Sequence, residues 1–230
     1  MARRKRISRK RNSIIAVAIV VVAAAAWVGY QRLNHRFNEV IIDQIAPVNA
    51  AADRIDPANE GRHVKISGKL EIGKPPRDEQ FGIGADAAIL FRKVEMFQWQ
   101  ENCASADCAY TTVWSDMAID SRKFHRPSGH ENPSQRLADA RFHASEIRLG
   151  AYAVDAELAA AQLKAIDFPV HAADLPPNLA ASFSEAGGAL YAGGDPTQPK
   201  VGIVRVSYHI VPVGSAILTG VQRGAKLVMN

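Results

Sequence analysis

The sequence predicts an α+β protein, with a strand-rich extramembrane domain preceded by one N-terminal transmembrane helix and a juxtamembrane helix. Three observations predict it. Residues 14–30, IIAVAIVVVAAAAWVGY, run without a single charge. Residues 31–58 place Leu33, Phe37, Ile41, Ile42 and Ile45 at three- and four-residue spacing, the stripe of an amphipathic helix. From residue 62 the pattern changes to the two-residue alternation of half-buried strands.

The N-terminus sets the topology. Residues 1–12, MARRKRISRKRN, hold seven basic residues and no acid. A basic flank stays in the cytoplasm. The apolar run that follows, assigned to residues 13–30, is about 25 Å long as a helix, near the lower end of what spans a bilayer. A cleavable signal peptide is the rival reading, with Ala23–Ala26 as its small-residue site. The length of the run and the closing Trp27 and Tyr30, which suit a membrane interface, favour a retained signal-anchor. The chain therefore divides into a basic cytoplasmic tail (1–12), a transmembrane anchor (13–30), a juxtamembrane helix (31–58) and an extracytoplasmic domain (59–230). This is a single-pass arrangement.

Charge excludes one class of partner. The chain has 28 basic and 23 acidic residues, a formal net charge of +5. Seven of the basic residues precede the helix, so the remainder is slightly acidic. The basic tail fits anionic membrane lipid, and no nucleic acid is expected as a partner. The roughly 200 residues beyond the anchor suffice for a core without a metal or cofactor. Two cysteines, Cys103 and Cys108, flank a short run of small residues. A disulfide closing a hairpin tip is the expectation in an oxidising compartment. Two free thiols are the alternative that spacing leaves open.

Within the domain, residues 63–72 (HVKISGKLEI) alternate as a strand, with Gly68 as a candidate bulge. Residues 73–80 (GKPPRDEQ) form a loop, since adjacent prolines supply no ladder donors. Residues 87–100 form a long strand, rich in the residue types strands favour. It places Val94, Met96 and Gln98 on one face and Glu95, Phe97 and Trp99 on the other. Residues 109–119 are its antiparallel return. Residues 120–145 are polar and loop-like, a length that is uncommon without a function. Residues 146–154 read as strand. A helix follows over 155–166, capped by Asp155, with Leu158, Leu163 and Ile166 inward. Residues 168–179 form a Pro-broken loop, and 189–193, 201–211 and 215–222 form three strands.

The search for chemistry finds no enzyme motif, and the protein is read as no enzyme. His125, His130 and His143 fall near Asp116, Asp120, Glu131 and Asp139, the donor types of a zinc or hydrolytic site. Their spacing fits no HExxH helix, and loop ordering is the stronger reading. Ser115, Ser121 and Ser128 lack a GxSxG elbow. Glycines 82 and 84 lie before a strand, the wrong order for a dinucleotide site. Glu95 in the central strand requires a partner such as Arg205 if buried.

The segments PANEG (57–61), VEMFQWQE (94–101), WSDMAIDSRKF (114–124), GHENP (129–133), GDPTQP (194–199), RVS (205–207) and QRG (222–224) closely resemble the transmembrane protein 43 family, also called LUMA. The resemblance implies a large domain after a first membrane helix. In eukaryotes it implies an endoplasmic reticulum or nuclear-envelope lumen location and a scaffold role with lamins and emerin. It brings no catalytic residues. Family members continue into further membrane helices, whereas this sequence stops at Asn230, as a single-anchor member or a fragment. Ile203 replaces the family's acidic residue, and the Cys pair is peculiar to this chain. The Ala-rich, short-looped style points to a bacterial inner membrane with a periplasmic domain.

The expected function is thus a membrane-anchored scaffold or interaction protein organising a membrane or envelope complex, with a protein partner or homo-oligomer. Its expected motif surface is Glu95, Gln98, Trp99, Trp114, Asp120, His130, Asn132 and Pro133. The alternatives are an envelope metal-dependent hydrolase using His125, His130 and Asp120, and a lipid- or ligand-binding domain.

Overall fold

Strict alternation shapes the first sheet. In the computed structural model, which describes residues 46–104 and 107–229, β2 (His63–Ile72) buries Val64, Ile66 and Leu70 and turns Lys65, Ser67, Lys69 and Glu71 to solvent. β14 (Gly214–Arg223) pairs antiparallel with β2, Leu218 opposite Ile66. β15 (Lys226–Val228) folds back on β14 and pairs in parallel with β9 (Tyr152–Val154). β9 forms a hairpin with β8 (Ile147–Leu149), and β8 returns to β2 with Leu149 opposite Leu70. The circuit β2–β14–β15–β9–β8–β2 closes, so these five strands form a small barrel, the arrangement that leaves no open edge. Val64, Ile66, Leu70, Leu149, Tyr152, Leu218 and Leu227 fill it, with Leu158. β1 (Val48–Ala50) runs parallel to β2 along the part of its edge that β8 leaves free.

The second sheet is built on β5 (Ala87–Ala104), eighteen residues long. β13 (Val204–Pro212) lies along one edge. The other edge carries β7 (Ala140–His143) and then β6 (Asp107–Ser115). In the gap between them the Val94 N–H donates to Asp139 Oδ1 at 2.8 Å, a side chain replacing a ladder partner. β12 (Ala189–Ala192) and β10 (Ile166–Phe168) share the outer edge of β13, and β11 (Phe183–Ala186) pairs with β12. Leu90, Val94, Leu190, Val206 and Tyr208 form this core with Phe81 and Ile83, contributed around the short pair β3 (Arg77–Asp78) and β4 (Ile83–Gly84).

The α+β expectation is overturned. The described domain is strand-dominated, and α-helix among the described residues is confined to α1 (Ala156–Gln162) and α2 (Pro177–Ala180). Among the described residues no helix is long and apolar enough to cross a membrane. The tail (1–12), the transmembrane anchor (13–30) and most of the juxtamembrane helix (31–58) fall outside the described residues. The part that is described is not α-helical: Val48–Ala50 is a strand and Pro57–Asn59 a single turn of 3-10 helix. Pro47 and Pro57 bracket it, and the free edge of β2 supplies ladder partners that a helix would forgo.

Two smaller expectations also change. Asp155 caps α1 by accepting the Glu157 N–H at 2.8 Å, and Leu158 is buried. The chain leaves the helix at Leu163, however, and Ile166 sits in β10 with 45% exposure. Gly68 is no bulge: it pairs with Ala216 in unbroken register. A Cβ there would lie 3.1 Å from Ala52 Cβ, so the glycine permits close approach.

Candidate functional site

The β5–β6 hairpin and the polar segment that follows it form the site. Alternation puts Glu95, Phe97, Trp99, Glu101 and Cys103 on the partly exposed face of β5. Opposite them β6 supplies Trp114 across from Phe97, Tyr110 across from Glu101 and Cys108 across from Cys103. Cys103 and Cys108 form a disulfide.

Glu95 is held as the sequence suggested. Arg205 lies opposite it in β13, and Nε and Nη2 both donate to Glu95 Oε2, at 3.0 and 2.7 Å. Lys93 Nζ approaches Oε1 at 3.4 Å. The guanidinium also lies 4.6 Å over the Trp114 ring, within cation–π range, and Trp114 meets Phe97 at a tilt and Tyr191 edge-on. Partial burial opposes the charge on Arg205 and the Glu95 hydrogen bond favours it, with a net upward shift.

Residues 116–139 contain no strand, yet side chains fasten them. Gln98, fully buried on the core face, accepts the Ile119 N–H at 2.9 Å and donates to Met117 O at 3.0 Å. Asn132 behaves as a strand residue through its side chain. Its Oδ1 accepts the Trp99 N–H at 2.7 Å and its Nδ2 donates to Trp99 O at 2.9 Å and to Ile119 O at 3.2 Å. The same residue's N–H donates to Ser121 Oγ. Pro133 packs on Gly202, where a Cβ would stand 3.1 Å from Pro133 Cγ. Asp120 caps the 3-10 turn Ser121–Lys123 and pairs with Arg122 at 2.7 Å. That hydrogen bond holds its carboxyl below the usual range.

His130 stacks on Tyr110, centroids 3.9 Å apart, and meets Trp99 edge-on at 4.8 Å. Its Nδ1 is 3.0 Å from the Arg126 carbonyl, so Nδ1 carries the proton and donates. Glu101 Oε1 accepts from Tyr110 Oη at 2.7 Å and from the His125 N–H at 2.6 Å, and Oε2 lies 3.1 Å from His125 Nδ1. The Tyr110 hydrogen bond, aided by His125, holds the Glu101 carboxyl below its usual range.

The histidine and carboxylate cluster does not converge. His125 turns to Glu101, His130 to Tyr110 and Trp99, and His143 to Glu157. Asp139 holds Val94, and Glu131 accepts the Gly129 N–H. All eight residues expected at the motif surface do converge on the hairpin and its fastened loop, though Gln98 lies beneath it rather than on it.

A buried group escaped the sequence reading. Asp78, in the stretch read as a loop, is 1% exposed. Its Oδ2 accepts from Arg92 Nη1 and Tyr208 Oη, both at 2.8 Å. The Arg92 guanidinium lies over the Phe81 and Phe142 rings, at 5.1 and 5.9 Å, and also donates to Gln80 Oε1. Burial, with the adjacent Asp78, pushes Tyr208 up. The available signal was Arg92 itself, an even-numbered position on the apolar face of β5.

Six of the seven distant sequence segments meet in two places. VEMFQWQE, WSDMAIDSRKF, GHENP and RVS assemble at the hairpin. PANEG and QRG meet at the barrel, where Gly61 N–H donates to Gln222 O and Gly224 N–H to Glu60 Oε2. Residues 96–229 match the family model described as Transmembrane protein 43. The chain belongs to the transmembrane protein 43 family. It is 30% identical over 176 residues to Transmembrane protein 43 of Mus musculus, covering 70% of this chain and 43% of that protein. It is 29% identical over 168 residues to the Homo sapiens protein, covering 67% and 41%. With the Drosophila melanogaster homolog it shares 27% over 186 residues, covering 74% and 48%. The chain thus matches less than half the length of these relatives. No solved structure matches it.

Proposed function

We propose that the chain is a membrane-tethered interaction protein, organising a membrane or envelope complex through the face of the β5–β6 hairpin and its fastened loop. The supporting observation is the clamp made by Gln98 and Asn132. Five side-chain hydrogen bonds between about 2.7 and 3.2 Å hold residues 117–119 and 132 against β5, where a strand would otherwise lie. The fixed segment presents Met117, 75% exposed, and the same loop carries the exposed Arg122 and Lys123 on Asp120. Apolar anchors beside charge on an ordered loop suit protein recognition.

Membrane tethering rests on the relatives' name and on residues 14–30, with the basic tail meeting anionic lipid at about 1 kcal/mol per basic residue. The orientation that follows is N-terminus inside and the strand-rich domain outside the cytoplasm, in the periplasm of a bacterium. The partner is a second copy or another membrane protein.

A photo-crosslinking residue at position 117, irradiated in intact membranes, tests this. Discrete higher-mass adducts are expected at 117, absent from a control at exposed Lys69 and weakened by Asn132→Ala. No adduct at 117, or the same adducts at 69, overturns the reading.

A further inference from the structure

The tip of the hairpin brings together a donor set that no sequence pattern announces. Cys103 and Cys108 face each other across β5 and β6, and the chain returns after the β6 strand to place His125 above them. His125 Nδ1 lies 3.6 Å from Cys103 Sγ and 3.1 Å from Glu101 Oε2. One ligand atom from each of Glu101, Cys103, Cys108 and His125 falls within 4.8 Å of all the others. Two sulfurs, an imidazole nitrogen and a carboxylate oxygen are the donor types of a tetrahedral zinc site. With bonds of about 2.0 Å to nitrogen and oxygen and about 2.3 Å to sulfur, the edges of such a tetrahedron are about 3.5 Å from nitrogen to sulfur and about 3.3 Å from nitrogen to oxygen. The two separations from His125 Nδ1 already sit near those edges, whereas the two sulfurs are bonded to each other and must part on reduction before both can be ligands.

The outer partners are also in place. Glu101 Oε1 is occupied by the Tyr110 hydroxyl and the His125 N–H, which fixes the carboxylate and leaves Oε2 toward the cluster. Such second contacts orient metal ligands and raise their affinity. The cluster lies at the exposed hairpin end, so an ion and a reductant both have access.

We propose that this is a redox-gated zinc site: closed while Cys103 and Cys108 are joined, and open to one Zn²⁺ once the disulfide is reduced. The reductant is a dithiol. Its two thiols become a disulfide while the Cys103–Cys108 bond breaks to two thiols, with two electrons and two protons transferred. On binding, Zn²⁺ displaces the two thiol protons to solvent, and His125 binds through Nδ1 as the neutral ring with its proton on Nε2. In an oxidising compartment the disulfide form prevails, and metal uptake reports local thiol exchange. The proposal is independent of the interaction role.

The test is cobalt titration of the detergent-extracted full chain, oxidised and dithiol-reduced, with the excess reductant removed. The reduced protein is expected to bind one Co²⁺, with a near-ultraviolet thiolate-to-cobalt band and the visible bands of a tetrahedral ion, both erased by Zn²⁺. The oxidised protein is expected to show neither. His125→Ala is expected to weaken uptake by about tenfold or more, since even outer partners carry that much. Circular dichroism confirms that the reduced chain keeps its strands. Equal uptake by both forms, no thiolate band on reduction, loss of the fold on reduction, or full affinity in His125→Ala each overturns the proposal.

Discussion

Two acid–arginine pairs show how burial decides what a residue contributes. Asp78 and Arg92 are 1% and 8% exposed and share Tyr208 and Gln80 as neutral partners. Removing one charge of such a pair strands the other away from water, at about 3–5 kcal/mol. Asp78→Ala is therefore expected to lower the unfolding free energy by that amount in urea titration. Glu95 and Arg205 are 13% and 29% exposed, and the guanidinium keeps its seat on Trp114. Glu95→Ala is expected to cost only about 1 kcal/mol, in the range of partly solvated pairs. Equal losses would show that neither solvent nor the Trp114 ring supports Arg205 once its carboxylate is gone. Glu101 adds a pH dependence. Its carboxyl titrates below the ordinary 4.5 in the folded chain, so its contribution is complete above about pH 4.5 and fades as pH falls through the folded value. Glu101→Gln is expected to flatten the fall of melting temperature as pH drops below about 4.5, read by a thermal scan at each pH.

At the scale of elements, legibility followed periodicity. β2, the β5–β6 hairpin and β13–β14 were readable because each alternates over nine or more residues. The two faces of β5 fell as the alternation required. The three-residue strands β10 and β15 carry too few positions to show a period, and only long-range pairing makes them strands, while residues 146–154, read as one strand, turn at Gly150 into the hairpin β8–β9. The stripe of residues 31–45 predicts a helix continuing to 58, but Pro47 and the open edge of β2 override it over 48–58. At the site, the Glu95–Arg205 pair was legible from a charge in a strand. The Asn132 clamp was not, since nothing local in GHENP shows that an amide will replace a strand partner 33 residues away. The β8–β9 turn tests this dependence on distant backbone. Gly150 has φ +61, and a Cβ there would overlap the Ala52 carbonyl, which accepts the Ala151 N–H at 2.7 Å. Gly150→Ala is expected to destabilise by more than the roughly 1–2 kcal/mol of the left-handed conformation alone. Gly129→Ala, at φ +83 with open space around it, is expected to show that smaller cost only. Equal melting temperatures for the two variants would refute the role of the Ala52 contact.

At the scale of the whole domain, the two sheets are joined by strands whose side chains enter both cores. β5 sends Ala88 and Ile89 into the barrel core and Leu90 and Val94 into the core of the second sheet. β13 ends with Val211 in the barrel core and runs through Pro212 directly into β14, a barrel strand. Neither core can be dismantled without pulling on a strand that fills the other, so residues 48–229 should unfold as one cooperative unit. The reporters are well placed to see a split. Trp99 and Trp114 sit in the β5–β6 hairpin, remote in sequence from the barrel strands, while far-ultraviolet dichroism reports all strands together. Leu218→Ala removes a fully buried barrel side chain opposite Ile66 and is expected to cost about 2–5 kcal/mol. The tryptophan midpoint and the dichroism midpoint in urea should move together, by the same increment and with an unchanged slope. If the dichroism transition broadened or moved while the tryptophan transition stayed, the barrel would be a separate folding unit. The hairpin site would then rest on the second sheet alone.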